Sequence, residues 1–202
     1  VRIRGLQGSS ELIRVLPASG AGEVMKFVPV MLAAVLAFGA SAAPVAAQQF
    51  VADELKKSVV TEDLAAVVGA LGHQVLEQGE AGNVLVLAEN QSQIKYVLLG
   101  TACDTNGVAG CQGVLIQAQF ELPTTTTYET VAQANLQYSA LNVWVDFEQK
   151  ALGFTRYVVL DEGVTMANLR ANVEVLMGLL GDAYPVAAGE PVPADPEAAP
   201  AT

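Results

Sequence analysis

The sequence predicts an α+β fold, an antiparallel sheet of five to six strands with three helices in the order α-β-β-β-β-α-β-β-α. Three observations lead there. Runs rich in β-branched and aromatic residues, such as 94–102 (IKYVLLGTA) and 113–121 (GVLIQAQFE), alternate with clusters of Gly, Asn, Asp and Ser that favour turns. Three other segments place their apolar residues at helical spacing. Both cysteines, Cys103 and Cys111, fall in the turn-rich loop between those two strands, which puts the thiols at neighbouring ends of an antiparallel pair.

The first 47 residues read as processing rather than fold. Met25-Lys26 supplies a positive n-region, residues 27–38 an apolar stretch too short for a typical membrane span, and Val45-Ala46-Ala47 a small-residue cleavage site. Residues 25–47 are thus expected to be a secretory signal peptide, with the mature chain starting at Gln48. Cleavage after Ala43 would leave Pro44 directly behind the bond, a poor site, and no cysteine lies near either position to carry a lipid. Residues 1–24 precede a complete signal without clear periodicity and read as an over-long start or an extension.

Removing residues 1–47 takes away Glu11 and Glu23 and four bases, Arg2, Arg4, Arg14 and Lys26, which leaves 19 acids against 6 bases and a net charge of −13. Such a surface repels phosphate backbones and anionic lipid, so nucleic acid is excluded as a partner, and no stable membrane span is expected after cleavage. The 52% hydrophobic share is inflated by the signal and by tail alanines. What remains, about 140 globular residues, suits one domain over 48–184.

Residues 48–60 read as a lead-in with one helical turn. Thr61-Glu62-Asp63 looks like an N-cap with acids in the first turn, and Leu64, Val67, Val68 and Leu71 follow at helical spacing until Gly72. Residues 73–78 and 83–89 form a hairpin around Gly79-Glu80-Ala81-Gly82, and Asn90-Gln91-Ser92 turns into the strand at Ile94. In the fourth strand Val114, Ile116, Ala118 and Phe120 alternate against Leu115, Gln117, Gln119 and Glu121, the mark of a half-buried strand. Pro123 ends this meander, and residues 124–127 cap a helix over 128–138 with Tyr128, Val131 and Asn135 on one side.

Two strands follow, 142–149 and 154–161, with Val143, Val145 and Phe147 assigned to the core face. Thr165 caps the last helix, whose stripe is Met166, Leu169, Val173, Leu176, Met177 and Leu180. Val175 and Leu179 lie off that stripe. A homodimer or partner surface is one explanation, and a long helix wedged between the sheet and the first helix is the other. From Pro185 onward five prolines, three acids and no aromatics predict a disordered tail over 185–202.

Candidate chemistry is sparse. Cys103 and Cys111 are open to three readings, a structural disulfide, a metal pair or a redox couple. Their spacing is not C-x-x-C, a metal needs two more ligands, and the single histidine, His73, belongs to the first hairpin, so the exported compartment favours the disulfide. Asp104-Thr105-Asn106-Gly107 echoes the opening of a calcium loop, but Leu115 stands where the bidentate acid is required, which leaves an Asx-type turn. Asp146, Glu148, Asp161 and Glu162 lie on or beside one hairpin, where carboxylates can in principle pair as acid and base. No G-x-S-x-G or glycine-rich phosphate loop accompanies His73. No catalytic residue, cofactor or metal is expected.

Three features together resemble the YbjN-like family of bacterial proteins over residues 61–184: the Cys103 to Cys111 loop closing a strand pair, Asn135 in the second helix, and the run Gly163-Val164-Thr165-Met166-Ala167-Asn168-Leu169 opening the last one. Ala134 stands where the family carries tryptophan. The resemblance implies a fold similar to type III secretion chaperones and a module that binds protein; members are labelled as candidate sensory transduction regulators, with no known catalytic site. The expectation is therefore an exported, periplasmic or secreted, non-enzymatic protein-binding module of chaperone-like or regulatory role. The alternative is an envelope enzyme or small-ligand binder.

Overall fold

The computed structural model describes residues 49–79, 84–105 and 107–190. The expected signal peptide, the 80–83 turn, Asn106 and residues 191–202 lie outside them. The chain opens with β1 (Leu55–Lys56), which makes a small two-stranded sheet with β8 (Val164–Thr165) just before the last helix. The lead-in is thus a strand rather than the helical turn the sequence suggested, and Val59 adds a bridge to Cys111.

α1 (Thr61–Ala70) starts one residue earlier than its sequence cap implied: Val60 is the N-cap, and Asp63 reaches back to accept from the Val60 N–H at 3.0 Å. Asp63 is buried and also takes the Lys56 ammonium at 2.8 Å, with Glu54 on the other side of that ammonium at 2.7 Å. Burial alone would lower the Lys56 pKa; the hydrogen bonds to Asp63 and Glu54 outweigh it and hold it above its ordinary value.

The main sheet comprises β2 (Gln74–Gln78), β3 (Leu85–Glu89), β4 (Lys95–Cys103), β5 (Cys111–Glu121), β6 (Asn142–Asp146) and β7 (Ala151–Val159), all antiparallel in the order β2-β3-β4-β5-β7-β6. Between β5 and β6 the chain crosses to the far edge through α2 (Tyr128–Gln137) and returns along β7 beside β5. Thr127 and Thr130 cap α2 reciprocally, each backbone N–H donating to the other's hydroxyl, at 3.0 and 3.2 Å.

Strand alternation sorts the residues into two faces. Tyr96, Leu98, Val114, Ile116, Ala118, Leu152 and Phe154 share one, each at most 1% exposed. Against them lie Leu64, Val67 and Val68 of α1, Val131 and Ala134 of α2, and a stripe on α3 (Met166–Ala188) in which Met166, Leu169, Val173, Leu176, Leu180, Ala183 and Ala187 recur at spacings of three and four. The α+β expectation with three helices and six main strands holds.

Three boundaries differ from the expectation, the first being β7, which starts at Ala151 rather than at Phe154. β6 stops at Asp146, whose carboxylate accepts from the Glu148 and Gln149 N–H groups at 2.9 and 2.8 Å and bends the chain; Phe147 leaves the alternation, stays 40% exposed and meets the exposed Tyr128 ring edge-on at 4.9 Å. Neither residue is on the core side. α3 does not stop at Tyr184: it passes through Pro185 and ends at Gly189, in the left-handed region at φ 72°. A proline inside a helix costs about 3 kcal/mol. Two hydroxyls offset it by donating to the last carbonyls, Thr125 to Ala188 at 2.6 Å and Thr130 to Ala187 at 2.8 Å, about 1 kcal/mol each. Burial of the Ala187 and Ala188 methyls adds nearly as much again, about 0.8 kcal/mol apiece. The prolines of the tail hid this packing from a composition argument.

Candidate protein-docking face

The second face of the sheet is the unusual one. Register places Leu85 opposite Leu99, Leu99 opposite Leu115 and Leu115 opposite Tyr157, an apolar row crossing four strands. Leu87 and Val97 lie in the next row, and Val159, 59% exposed, beyond Tyr157. None of these belongs to the core or packs against it, and among the described residues α1, α2 and α3 all meet the opposite face. A solvated antiparallel face ordinarily alternates to polar residues; Gln117, Gln119 and Thr155 on this face follow that rule, and the row from Leu85 to Tyr157 does not.

The aromatic member of the row is held in place. The Tyr157 ring lies over Gly113, where a Cβ would collide with it, and its hydroxyl shares a 2.8 Å hydrogen bond with Thr101 two strands away. Tyr157 remains 53% exposed, an anchor already fixed in one orientation. On the same face the Trp144 indole covers its cross-strand partner Gly153, which again leaves no room for a Cβ. Towards the outer edge and the far strand ends this face carries Glu77, Glu89, Glu121 and Asp146, with Lys95 opposite Glu89.

The two edges of the sheet are treated differently. Asn135 of α2 acts as a substitute strand along β6: its side-chain oxygen accepts from the Val143 N–H at 2.9 Å and its amide donates to the Val143 carbonyl at 2.9 Å and the Val131 carbonyl at 3.1 Å. That blocks pairing at this edge. β2, at the other edge, is bulged between Val75 and Glu77 and mostly exposed.

Cys103 and Cys111 are a register pair at the end of the β4–β5 ladder, with their sulfurs at disulfide distance. Cys111 is fully buried and exchanges two 2.9 Å backbone hydrogen bonds with Val59, so the loop is tied to the segment leading into α1. A Cβ at Gly100 would stand 2.6 Å from the Cys111 sulfur and 2.7 Å from Val84 Cβ, which is why β4 has a glycine there. Asp104 accepts from the Gly110 N–H at 3.1 Å, and Thr105 donates to Ala102 and Gln112, so both polar residues of the calcium-like tetrad that are described serve the loop itself.

The remaining candidates do not converge. Asp146 and Asp161 sit beyond opposite ends of β7, roughly 30 Å apart at 3.3–3.4 Å per residue, too far for an acid–base pair of the kind that spans one scissile bond. His73 shares a 2.8 Å hydrogen bond with Tyr96; burial pushes the imidazole below its usual pKa and the phenol above its own. Leu179 is half-buried against the core, which leaves Val175, at 36% exposure, as the exposed member of that pair. A shallow concavity of about 420 Å3 between α2 and the end of α3 is lined by Glu129, Gln133, Gln137 and Glu190 among others. Burial first, and then the Glu190 carboxylate, raises the Tyr184 phenol beside it.

Fold and face together define a class: an α+β module whose antiparallel sheet is layered with helices on one side and, among the described residues, has an apolar row left without cover on the other. No family model matches the chain, and no curated protein matches it at a significant level. Solved structures similar to it include the ExsC–ExsE complex, at 16% identity and TM-score 0.42 over 58% of this chain and 85% of that one. YbjN from E. coli, described as a candidate transcription regulator, aligns at 11% identity and TM-score 0.45 over 64% of this chain and 96% of its own. The HopA1–SchA chaperone–effector complex aligns at 12% identity and TM-score 0.42 over 57% and 85%. The likeness is one of fold, and the family the sequence resembles is among these neighbours. Among the described residues no helix is long and apolar enough to cross a membrane.

Proposed function

We propose that this chain is an exported, non-enzymatic protein-binding module of chaperone-like or regulatory role, which receives its partner on the open sheet face. The observation that carries the reading is the row Leu85, Leu99, Leu115 and Tyr157, apolar side chains on a face that no described helix covers. The three leucines are half-buried and Tyr157 is exposed, and apolar patches left partly exposed on a folded domain mark interaction sites. Export is supported by the n-region, apolar stretch and Val45-Ala46-Ala47 site, and by the proximity of the two cysteines, since such pairs oxidise outside the cytosol.

A photo-crosslinking residue introduced at Leu99 tests the docking surface, with Gln133 on α2 as the control. A discrete adduct at Leu99 and none at Gln133 is expected in the native cell; equal labelling at both, or none at Leu99, contradicts the reading. Mass spectrometry of the exported protein is expected to find Gln48 at its N-terminus, and a retained Lys26 would refute export by cleavage.

A further inference from the structure

The geometry points to a partner of particular chemistry on this face: an amphipathic helix with an apolar stripe flanked by lysine or arginine. The inference rests on the docking reading above and narrows the occupant by backbone, length and charge. β3, β4, β5 and β7 are each paired on both sides. A segment laid on the face therefore finds no free main-chain groups and must satisfy its own, which a helix does and an extended chain does not. The apolar row crosses four strands, about 14 Å at 4.7–4.9 Å per strand. That is the length of about ten helical residues at 1.5 Å each.

Charge favours a cationic partner over a second copy. Glu77, Glu89, Glu121 and Asp146 share the face with Lys95, and the whole chain has a net charge of −11. Glu89, Glu121 and Asp146 lie roughly 13–20 Å from the row along the strands, so their field acts over a distance: it opposes a second copy carrying the same charges and attracts a helix with basic flanks.

The probe is a helical peptide of about 14 residues with a leucine stripe flanked by lysines, long enough to cover the row. It is titrated by fluorescence anisotropy into the purified full-length protein, beside an isomer with glutamate at each lysine and a version with serine at each leucine. The lysine peptide is expected to bind at least about tenfold more tightly than the glutamate isomer at low salt, with the preference shrinking as salt rises. The double variant Leu99→Thr/Leu115→Thr, shown to be folded by circular dichroism, is expected to weaken that binding by about tenfold or more. If the lysine and glutamate peptides bind equally and both are lost in the double variant, the cationic chemistry is overturned and the docking face stands. If the serine peptide binds as well as the leucine one, if the double variant binds like the parent, or if no peptide binds, the inference is overturned outright.

Discussion

Leu98 and Leu99 are consecutive in β4 and point to opposite sides of one sheet. Leu98 is 1% exposed beneath the helices; Leu99 stands half-buried in a row that crosses to Tyr157 with no described element above it. The difference teaches that apolar character in a strand answers two separate demands. On the core side it is accounted for by Leu64, Val67, Val68 and the α3 stripe. On the open side no described element covers it, and apolar surface that a fold leaves partly exposed is the place to look for a partner.

Substitutions that separate the two sides sharpen this contrast. The largest effect is expected from Leu98→Ala, which deletes a fully buried side chain and costs about 3 kcal/mol, while Leu99→Ala one residue later costs about 1 kcal/mol. Urea unfolding of the pair measures the gap, and equal losses would break the comparison. Next comes the loop: replacing Cys103 and Cys111 by serine is expected to remove roughly 2–3 kcal/mol, the chain-entropy value for closing so short a loop, while binding at the open face survives in the cold. A variant that kept its stability and lost binding would make the loop a working site.

A smaller effect belongs to the guarded edge. Asn135→Ala is expected to cost about 1–2 kcal/mol by leaving the Val143 N–H and carbonyl unpaired, to speed hydrogen exchange at Val143, and to promote association through β6 in sedimentation. Unchanged exchange at Val143 would show that α2 does not seal this edge.

The smallest concerns His73. Because burial lowers its folded pKa below the ordinary 6.5, its contribution is complete above about pH 6.5 and is lost as pH falls through the lowered value. Thermal unfolding of His73→Phe is expected to lose that segment of the pH slope, at a cost of about 1 kcal/mol from the unpaired Tyr96 hydroxyl.

Much of the core side was legible in the sequence. Alternation in 114–120 and the 3.6-residue stripe of α3 report burial directly, because both follow from which side chains one face must hide. The departures come from contacts between distant parts of the chain. Val60 rather than Thr61 caps α1 because Asp63 bonds back to it, Phe147 leaves the core side because Asp146 bends the hairpin, and α3 outlasts Pro185 because Thr125 and Thr130 reach it from the start of α2. The open face had a signal that period counting alone passes over. Residues 84–88 (VLVLA) and 97–99 (VLL) are apolar at every position, and an uninterrupted run in an antiparallel strand asks for cover on both sides.

The most direct test of the central claim is the equilibrium unfolding free energy of Leu99→Thr/Leu115→Thr, two adjacent members of the open row. If this face is surplus to folding, the double variant loses less than about 2 kcal/mol and unfolds in one cooperative step. A loss of roughly 6 kcal/mol, that of two buried leucines, would mean that the face is a second core and would contradict the account.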